Sequence, residues 1–370
     1  MLSYIFRRLM LVPLTLFGIL VINFAVIQFV PGGPIEQILA EAQGEAGDAA
    51  ARITGDQSVD LGQQQQRPSQ TSSQVNARYR GAQGVDPELI KELERQFGFD
   101  KPAFERFIDM SVKYLSFDLG DSYFQDRSVV DLVLEKMPVS ISLGLWTFLL
   151  TYLISIPLGV RKAVKDGSAF DISTSWIVII GNAIPSFLFA ILLIIIFAGG
   201  RYLDWFPLRG MVSQDFDSLT WWQKIGDYLW HMVLPVTSLV IGSFAGMTLL
   251  TKNAFLDEIN KQYVLTARAK GLTERRVLYG HVFRNAMLLV ISGFPTAFLG
   301  LIFTGSFLIE TIFSLDGLGL LGFEAIINRD YAVFLGTLYA FTLIGVIFGI
   351  INDVMYHIVD PRIDFESREV

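Results

Sequence analysis

The sequence predicts an all-α polytopic membrane protein with six transmembrane helices. Apolar residues make up 52% of the 370-residue chain, and charged residues make up only 18%. The mean hydropathy is +0.47, whereas soluble domains carry about 25% charged residues. Six stretches lack Asp, Glu, Lys and Arg, and each is long enough to supply the roughly 20 helical residues that cross a bilayer. These stretches are residues 9–30, 139–160, 172–200, 229–251, 285–309 and 331–352.

The first stretch follows Arg7 and Arg8, as the apolar region of a secretory signal peptide follows its basic residues. It is longer than such a region, and it ends in PGGP at residues 31–34 without a small-residue cleavage site. We therefore expect residues 1–30 to be retained as a short cytoplasmic end and the first membrane helix.

The basic residues of the short loops are distributed unequally across the membrane. With six spans, fourteen Lys and Arg residues share the side of the two termini, and four lie on the other side. Because Lys and Arg are enriched in short cytoplasmic loops, we expect both termini in the cytoplasm. The chain has no cysteine and therefore no disulfide.

Residues 31–137 form a long extracytoplasmic segment between the first two predicted spans. Residues 41–84 are rich in Gln, Ala, Gly and Ser, so we expect little order there. Residues 86–121 have the apolar spacing of two helices, which start at Pro87 and Pro102 and could form a small cap over the outer mouth. The second helix is predicted to bury Phe104, Phe107, Ile108, Val112, Tyr114 and Leu115.

The other five spans and their loops occupy residues 138–359, and residues 360–370 form a cytoplasmic tail. Several spans contain Pro or Gly near their middle, and such residues bend helices or let their backbones approach closely. Both a gating role and ordinary packing remain open for them. The residues are Pro157, Gly181, Pro185, Pro235, Gly242, Gly246, Gly293 and Pro295.

The chain lacks the groups that would supply energy or perform bond chemistry. No ionisable residue lies in the core of a predicted span, which argues against coupling to an ion gradient through this chain alone. The sequence contains neither a phosphate-binding G-x-x-x-x-G-K-[ST] loop nor a G-x-S-x-G nucleophile motif. Its three His residues are far apart, which predicts no metal site. We expect no catalytic residue, no cofactor and no nucleic acid partner.

The cytoplasmic loop at residues 252–284 has the pattern of a helix, a glycine turn and a second short helix. Apolar residues from Phe255 to Ala267 share one helical face. Gly271 is suited to the left-handed conformation that ends a helix, and Thr273 is suited to cap the next one. This pattern predicts a docking point for an external motor protein. An amphipathic loop on the membrane surface remains the alternative.

Several strings in the sequence resemble those of permease subunits of bacterial ATP-binding-cassette importers. TARAKG at 266–271 and HVFRNA at 281–286 resemble the EAA loop of the dipeptide and oligopeptide group of that family. Further matching strings are QFGFDKP at 96–102, DLGDS at 118–122, IETIFSLDGLG at 309–319 and DPRID at 360–364. The chain departs from the general EAA motif at Leu265 and Thr266, where the family has Glu and Ala.

The resemblance implies a type I importer permease fold and a subunit that translocates oligopeptides across the bacterial inner membrane. Peptide antibiotics and cell-wall peptides are candidate cargoes. The implied partners are a second homologous permease, a periplasmic peptide-binding protein and a cytoplasmic ATPase that binds the ATP and Mg. The alternatives are another solute delivered by a binding protein, such as nickel or an opine, and a secondary carrier or channel. The residues that the resemblance assigns to ATPase coupling are Ala267, Arg268, Ala269, Lys270, Gly271, Leu272, Thr273 and Glu274.

A pore that accepts many peptide side chains requires a lining of small, weakly polar residues. Packing between helices explains such residues equally well. The binding protein is expected to contact residues 86–121 and the loops around Trp221 and Asp316, although exposed Trp side chains are also typical of an interfacial belt. The pore-lining candidates are Asn182, Ser186, Ser292, Thr296, Thr304 and Ser306.

Overall fold

The computed structural model describes residues 2–29, 101–122, 124–200, 202–303 and 307–359. These residues are mostly helical, as predicted. Residues 41–84, the predicted helix that starts at Pro87 and the 360–370 tail lie outside the described residues.

The described residues form thirteen α-helices, a π-helix at Leu278–Val282 and a 3-10 turn at Phe216–Ser218. The α-helices are α1 Leu2–Phe29, α2 Ala103–Leu115, α3 Val129–Val164, α4 Ala169–Ala183, α5 Ser186–Phe197, α6 Trp221–Ile259, α7 Gln262–Ala269, α8 Glu274–Val277, α9 Phe283–Ser292, α10 Phe294–Phe303, α11 Phe307–Ile312, α12 Leu318–Ile327 and α13 Tyr331–Val359.

Four of these helices are long and apolar enough to cross a membrane, within the part of the chain that the structure describes. They contain the segments Leu9–Val26, Val129–Val164, Trp221–Ile259 and Tyr331–Met355. A fifth span is counted only if α4 and α5 are taken together. The predicted span at 285–309 is divided among α9, α10 and α11. The predicted number of six spans is therefore not confirmed.

The predicted span at 172–200 is not one continuous helix: it bends by 96° between α4 and α5, next to Pro185, one of the residues expected to bend a span. The bend lies at Ile184, whose φ of −89° and ψ of 118° are extended. Pro185 causes this conformation because the ring of a proline disfavours the helical region for the preceding residue. In contrast, α3 continues through Pro157 and α6 continues through Pro235. Neighbouring helices and side chains can satisfy the backbone groups that a proline frees in a membrane helix.

The chain divides into two compact units. The first unit consists of Met1–Met10, Leu134–Leu321 and Leu343–Val370, and the second consists of Leu11–Val133 and Gly322–Thr342. The first unit contains two apolar clusters. One joins α3, α5, α6 and α11 around Leu143, Leu193 and Ile309. The other, which we call the coupling cluster, joins the end of α3 and the end of α6 to the helices α7, α8 and α9.

The second unit packs α2 against α1 and α13. The ring of Phe107 makes edge contacts with Phe17 and Phe24 of α1, and Tyr114 makes an edge contact with Tyr339 of α13. The helix predicted from Pro102 is therefore present. However, only two of the six side chains that it was predicted to bury pack against other helices: Tyr114 is buried and Phe107 is half-buried. The others, Phe104, Ile108, Val112 and Leu115, are exposed, because the neighbouring helices cover only one part of a broad apolar face.

Candidate coupling site

The loop at residues 252–284 forms the predicted helix, glycine turn and second helix. Helix α7 ends at Ala269, and Gly271 follows with a φ of +78°, the left-handed conformation that glycine adopts readily. The Gly271 N–H donates to the Arg268 carbonyl at 2.9 Å. Thr273 occupies the N-cap position of α8, but its side chain makes no capping hydrogen bond. The backbone carbonyl of Thr273 instead accepts from the Val277 N–H at 2.9 Å.

The residues assigned to coupling point in two directions. Ala267 is buried in the coupling cluster together with Val264 of α7 and Val277 of α8, and Leu272 is half-buried against the same cluster. These two predicted coupling residues therefore attach the loop to the protein. The other six form an exposed surface, which we call the coupling face, and they are Arg268, Ala269, Lys270, Gly271, Thr273 and Glu274.

An ion pair closes the turn between α7 and α8. The Arg268 guanidinium contacts both carboxylate oxygens of Glu274, with Nε 3.0 Å from Oε1 and Nη2 3.1 Å from Oε2. This two-point geometry fixes the relative orientation of the two side chains better than a single contact would. At the start of α7, the hydroxyl of Tyr263 donates to Glu258 Oε2 at 2.6 Å. Burial, and secondarily this carboxylate, raise the pKa of the Tyr263 phenol.

The coupling face extends over residues that sequence reasoning did not assign. Leu265 is 58% exposed and Tyr279 is 57% exposed, and Arg275 and Arg276 of α8 are also exposed. The surface thus combines two large apolar side chains with basic groups, a composition typical of protein interfaces that bury aromatic residues and Arg. One of these residues could have been found from the sequence. Leu265 is an apolar residue at the position where the family motif has Glu.

Next to the coupling cluster, a network of four charges joins the ends of three helices. The Lys162 side chain at the end of α3 is fully buried, and its Nζ lies 2.9 Å from Asp171 Oδ1 of α4. Lys252 of α6 contacts the other oxygen of Asp171 at 2.8 Å and Asp166 at 2.8 Å. Lys162 Nζ also donates to the Asp171 carbonyl and to two hydroxyls, at 2.7–3.0 Å. The network links α3, α4 and α6 where α6 leads into α7.

The segment that joins α11 to α12 is built around Glu310, which sequence reasoning placed at the border of a loop. Its side chain is fully buried, and it accepts from the Leu320 N–H at 2.7 Å, in the first turn of α12. A β-carbon added to Gly317 would lie 2.6–2.7 Å from atoms of the Glu310 carboxylate. A larger residue at this position of the IETIFSLDGLG string would therefore displace the buried Glu310 carboxylate. This arrangement satisfies N–H groups that have no partner within α12.

The structure describes the side chains of three of the six pore-lining candidates. Asn182 is exposed and Ser186 is half-buried, and they lie on either side of the bend at Ile184. Ser292 is buried, and its hydroxyl donates to the Leu289 carbonyl within α9 at 2.9 Å. Thr304 and Ser306 lie outside the described residues, as does the side chain of Thr296. The assignment of these residues to a pore stays a prediction.

The comparisons with known proteins agree with the resemblance found in the sequence. Residues 155–365 match the family described as "Binding-protein-dependent transport system inner membrane component". The "Peptidoglycan transport system permease protein YejB" of Agrobacterium fabrum is 58% identical over 368 residues, which cover 100% of both chains. The "Inner membrane ABC transporter permease protein YejB" of Escherichia coli O157:H7 is 56% identical over 367 residues, covering 99% of this chain and 100% of that protein.

A more distant relative is the "Oligopeptide transport system permease protein OppB" of Haemophilus influenzae. It is 32% identical over 280 residues, which cover 75% of this chain and 86% of that protein. The family inferred from the TARAKG and HVFRNA strings is therefore confirmed. The chain belongs to the family of inner membrane components of binding-protein-dependent transport systems.

Proposed function

We propose that this chain is a permease subunit of an ATP-binding-cassette importer that carries oligopeptides, including cell-wall peptides, across the bacterial inner membrane. The observation that carries the proposal is the similarity over the full length of the chain to two permeases named YejB. One of them is named for peptidoglycan transport, and the more distant OppB is named for oligopeptide transport. The subunit performs no bond chemistry of its own.

The partners follow from the same family. A cytoplasmic ATPase holds the ATP and Mg, a second homologous permease completes the pore, and a periplasmic binding protein delivers the peptide. We infer a type I permease arrangement with six spans and with both termini in the cytoplasm. The distribution of basic residues supports this orientation.

The coupling face is suited to receive the ATPase because its exposed side chains stand on a rigid support. Val264, Ala267 and Val277 share one apolar cluster with the ends of α3 and α6 and with α9. A displacement of α7 and α8 therefore displaces these membrane helices as well, because closely packed interiors transmit strain. Two discrete packings of the helices would give inward-open and outward-open states.

Reconstitution in liposomes tests the proposal. The two permeases alone should leave a radiolabelled peptide outside, and uptake should begin only when the ATPase, ATP and the binding protein are added. Uptake without the ATPase would indicate a channel and would contradict the proposal. Uptake that stops when the ion gradient is collapsed, while ATP is present, would indicate a secondary carrier and would also contradict it.

A further inference from the structure

Helix α2 exposes an apolar stripe that its neighbours in the second unit leave uncovered. The side chains of Phe104, Ile108, Val112 and Leu115 are 75%, 44%, 60% and 60% exposed. At the spacing of an α-helix these four positions fall within an arc of about 80°. A single stripe of this kind on one helix indicates a surface that meets an apolar environment.

The side of α2 that adjoins this stripe, opposite the packed side of Phe107 and Tyr114, is charged. Glu105, Asp109 and Lys113 are exposed there, and Lys101 forms an ion pair with Asp109 at 2.6 Å. The helix thus has three sides: a packed side with Phe107 and Tyr114, an apolar exposed stripe and a polar exposed face. This pattern is typical of a helix that lies in a membrane interface, with its apolar side toward the acyl chains and its charges toward the headgroups.

The contacts of Phe107 fix the depth of α2. Its ring centroid lies 5.9 Å from that of Phe17 and 5.4 Å from that of Phe24. The apolar window of α1 is Leu9–Val26, so Phe17 lies near its middle and Phe24 near its C-terminal end. With a rise of 1.5 Å per residue, Phe107 therefore lies within about 15 Å of that end. Helix α2 consequently packs beside the hydrocarbon-spanning part of α1, and it is not held above the membrane.

Exposed apolar side chains are also present on α1, the helix against which α2 packs. Leu14, Phe17 and Ile22 of α1 are themselves exposed. Exposed apolar side chains on a membrane-spanning helix and on the helix packed against it are suited to the same medium. That medium is lipid in the leaflet that holds the C-terminal half of α1.

The end of α2 provides an independent observation. Phe117 has a φ of +60°, a left-handed conformation that favours glycine, and it is 62% exposed. The Asp118 N–H donates to the Lys113 carbonyl at 2.9 Å, which closes the helix end around Phe117. Glycine would fit this backbone conformation better, so the presence of an exposed aromatic ring indicates that the ring makes a contact outside the described residues. Aromatic residues are common where a helix meets the membrane interface.

We propose that α2 is a membrane-interfacial helix whose stripe of Phe104, Ile108, Val112 and Leu115, together with the ring of Phe117, contacts lipid acyl chains. This assignment differs from the sequence-based prediction that α2 forms part of a cap over the outer mouth. If the stripe contacts lipid, α2 is not part of the surface that contacts the binding protein. It does not depend on the identity of the transported solute.

Spin labels test this assignment directly, because the chain has no cysteine and each introduced thiol is the only one. Ile108→Cys and Val112→Cys place a nitroxide on the stripe, and Asp109→Cys and Lys113→Cys place matched labels on the polar face of the same helix. The full chain is reconstituted with its partner permease in phosphatidylethanolamine and phosphatidylglycerol vesicles. Oxygen concentrates in the bilayer, whereas a nickel chelate stays in water.

We expect the ratio of oxygen to nickel accessibility to be several-fold higher at the two stripe positions than at the two polar positions. Equal ratios at all four positions would show that the stripe faces water and would overturn the proposal. Stripe labels that neither reagent reaches would show that protein covers the stripe, which would overturn it as well. Leu115→Cys replaces any stripe variant that fails to assemble.

Discussion

The buried charge network makes a quantitative prediction for the substitution Asp171→Asn. The replacement has nearly the same shape and removes one negative charge. The Lys162 side chain is fully buried, so its ammonium would lose its only carboxylate contact in the network. Lys252 is affected less, because it keeps Asp166 at 2.8 Å. The predicted loss of stability therefore comes mainly from Lys162.

The magnitude follows from the contacts that remain. Removing one partner of a buried ion pair costs about 3–5 kcal/mol because the other charge stays buried without compensation. Three neutral oxygens, including the Thr174 and Ser175 hydroxyls, still accept from Lys162 at 2.7–3.0 Å. We therefore expect a loss at the lower end of that range, about 3 kcal/mol in the free energy of unfolding.

The chain offers a matched control in Asp166→Asn. Asp166 contacts the same Lys252 at the same distance, but it is half exposed, and exposed pairs contribute about 0–1 kcal/mol. The free energies of unfolding are compared by titration of mixed micelles with sodium dodecyl sulfate. Adding Lys162→Met to Asp171→Asn should restore part of the loss, because no unpaired charge remains. Equal stabilities of the two Asn variants would refute the reasoning.

Three glycine substitutions give further predictions. Gly159→Ala places a β-carbon 2.6 Å from Thr251 Cβ where α3 and α6 cross, and thermal unfolding should show a loss of about 1–3 kcal/mol. Gly317→Ala brings a β-carbon into the carboxylate of Glu310 and should lower the stability by a similar amount, measured in the same way. Gly271→Pro cannot adopt a φ of +78°, so peptide uptake should be lost while membrane insertion and ATP hydrolysis by the partner ATPase persist.

The controls use glycines where a β-carbon meets nothing within 4 Å and the backbone φ is ordinary. Gly246→Ala in α6 is the control for Gly159→Ala and Gly317→Ala, and Gly280→Ala in the π-helix is the control for Gly271→Pro. Both control variants should behave like the unchanged protein. Wild-type uptake by Gly271→Pro would exclude the coupling role of the turn, and unfolding of Gly159→Ala at the same point as Gly246→Ala would exclude the tight crossing.

Local patterns allowed the continuous spans and the coupling turn to be predicted from the sequence. The charge-free stretches marked α3, α6 and α13, although the helices extend beyond them into charged residues such as Lys162 and Lys252. Gly271 correctly predicted the end of α7, because a helix end of this kind depends only on a local backbone conformation that glycine adopts readily. The face of α2 was predicted less well: apolar spacing identifies a helix, but it does not tell whether protein or lipid covers a given side chain such as Ile108.

Features that depend on distant parts of the chain could not be predicted in this way. Lys162, Asp171 and Lys252 are spread over ninety residues, and the sequence gives no indication that they meet. In the sequence each of them is a charged residue of a predicted loop. In the structure Lys162 and Asp171 are almost completely buried. The bend at Pro185 was a candidate break, but its angle of 96° depends on how α4 and α5 each pack against α6.

The two lysines of the charge network have one more consequence, which concerns how the chain enters the membrane. Topology is set by Lys and Arg during insertion, and Asp and Glu contribute little to it. With the orientation proposed above, Lys162 and Lys252 would favour a cytoplasmic location of their loops while the chain is still being synthesised. Once the helices assemble, Asp171 contacts both ammonium groups, and Asp166 supplies the second negative charge that balances them. The same two lysines thus act first as topology signals during membrane insertion. In the folded protein they form ion pairs that hold α3, α4 and α6 together.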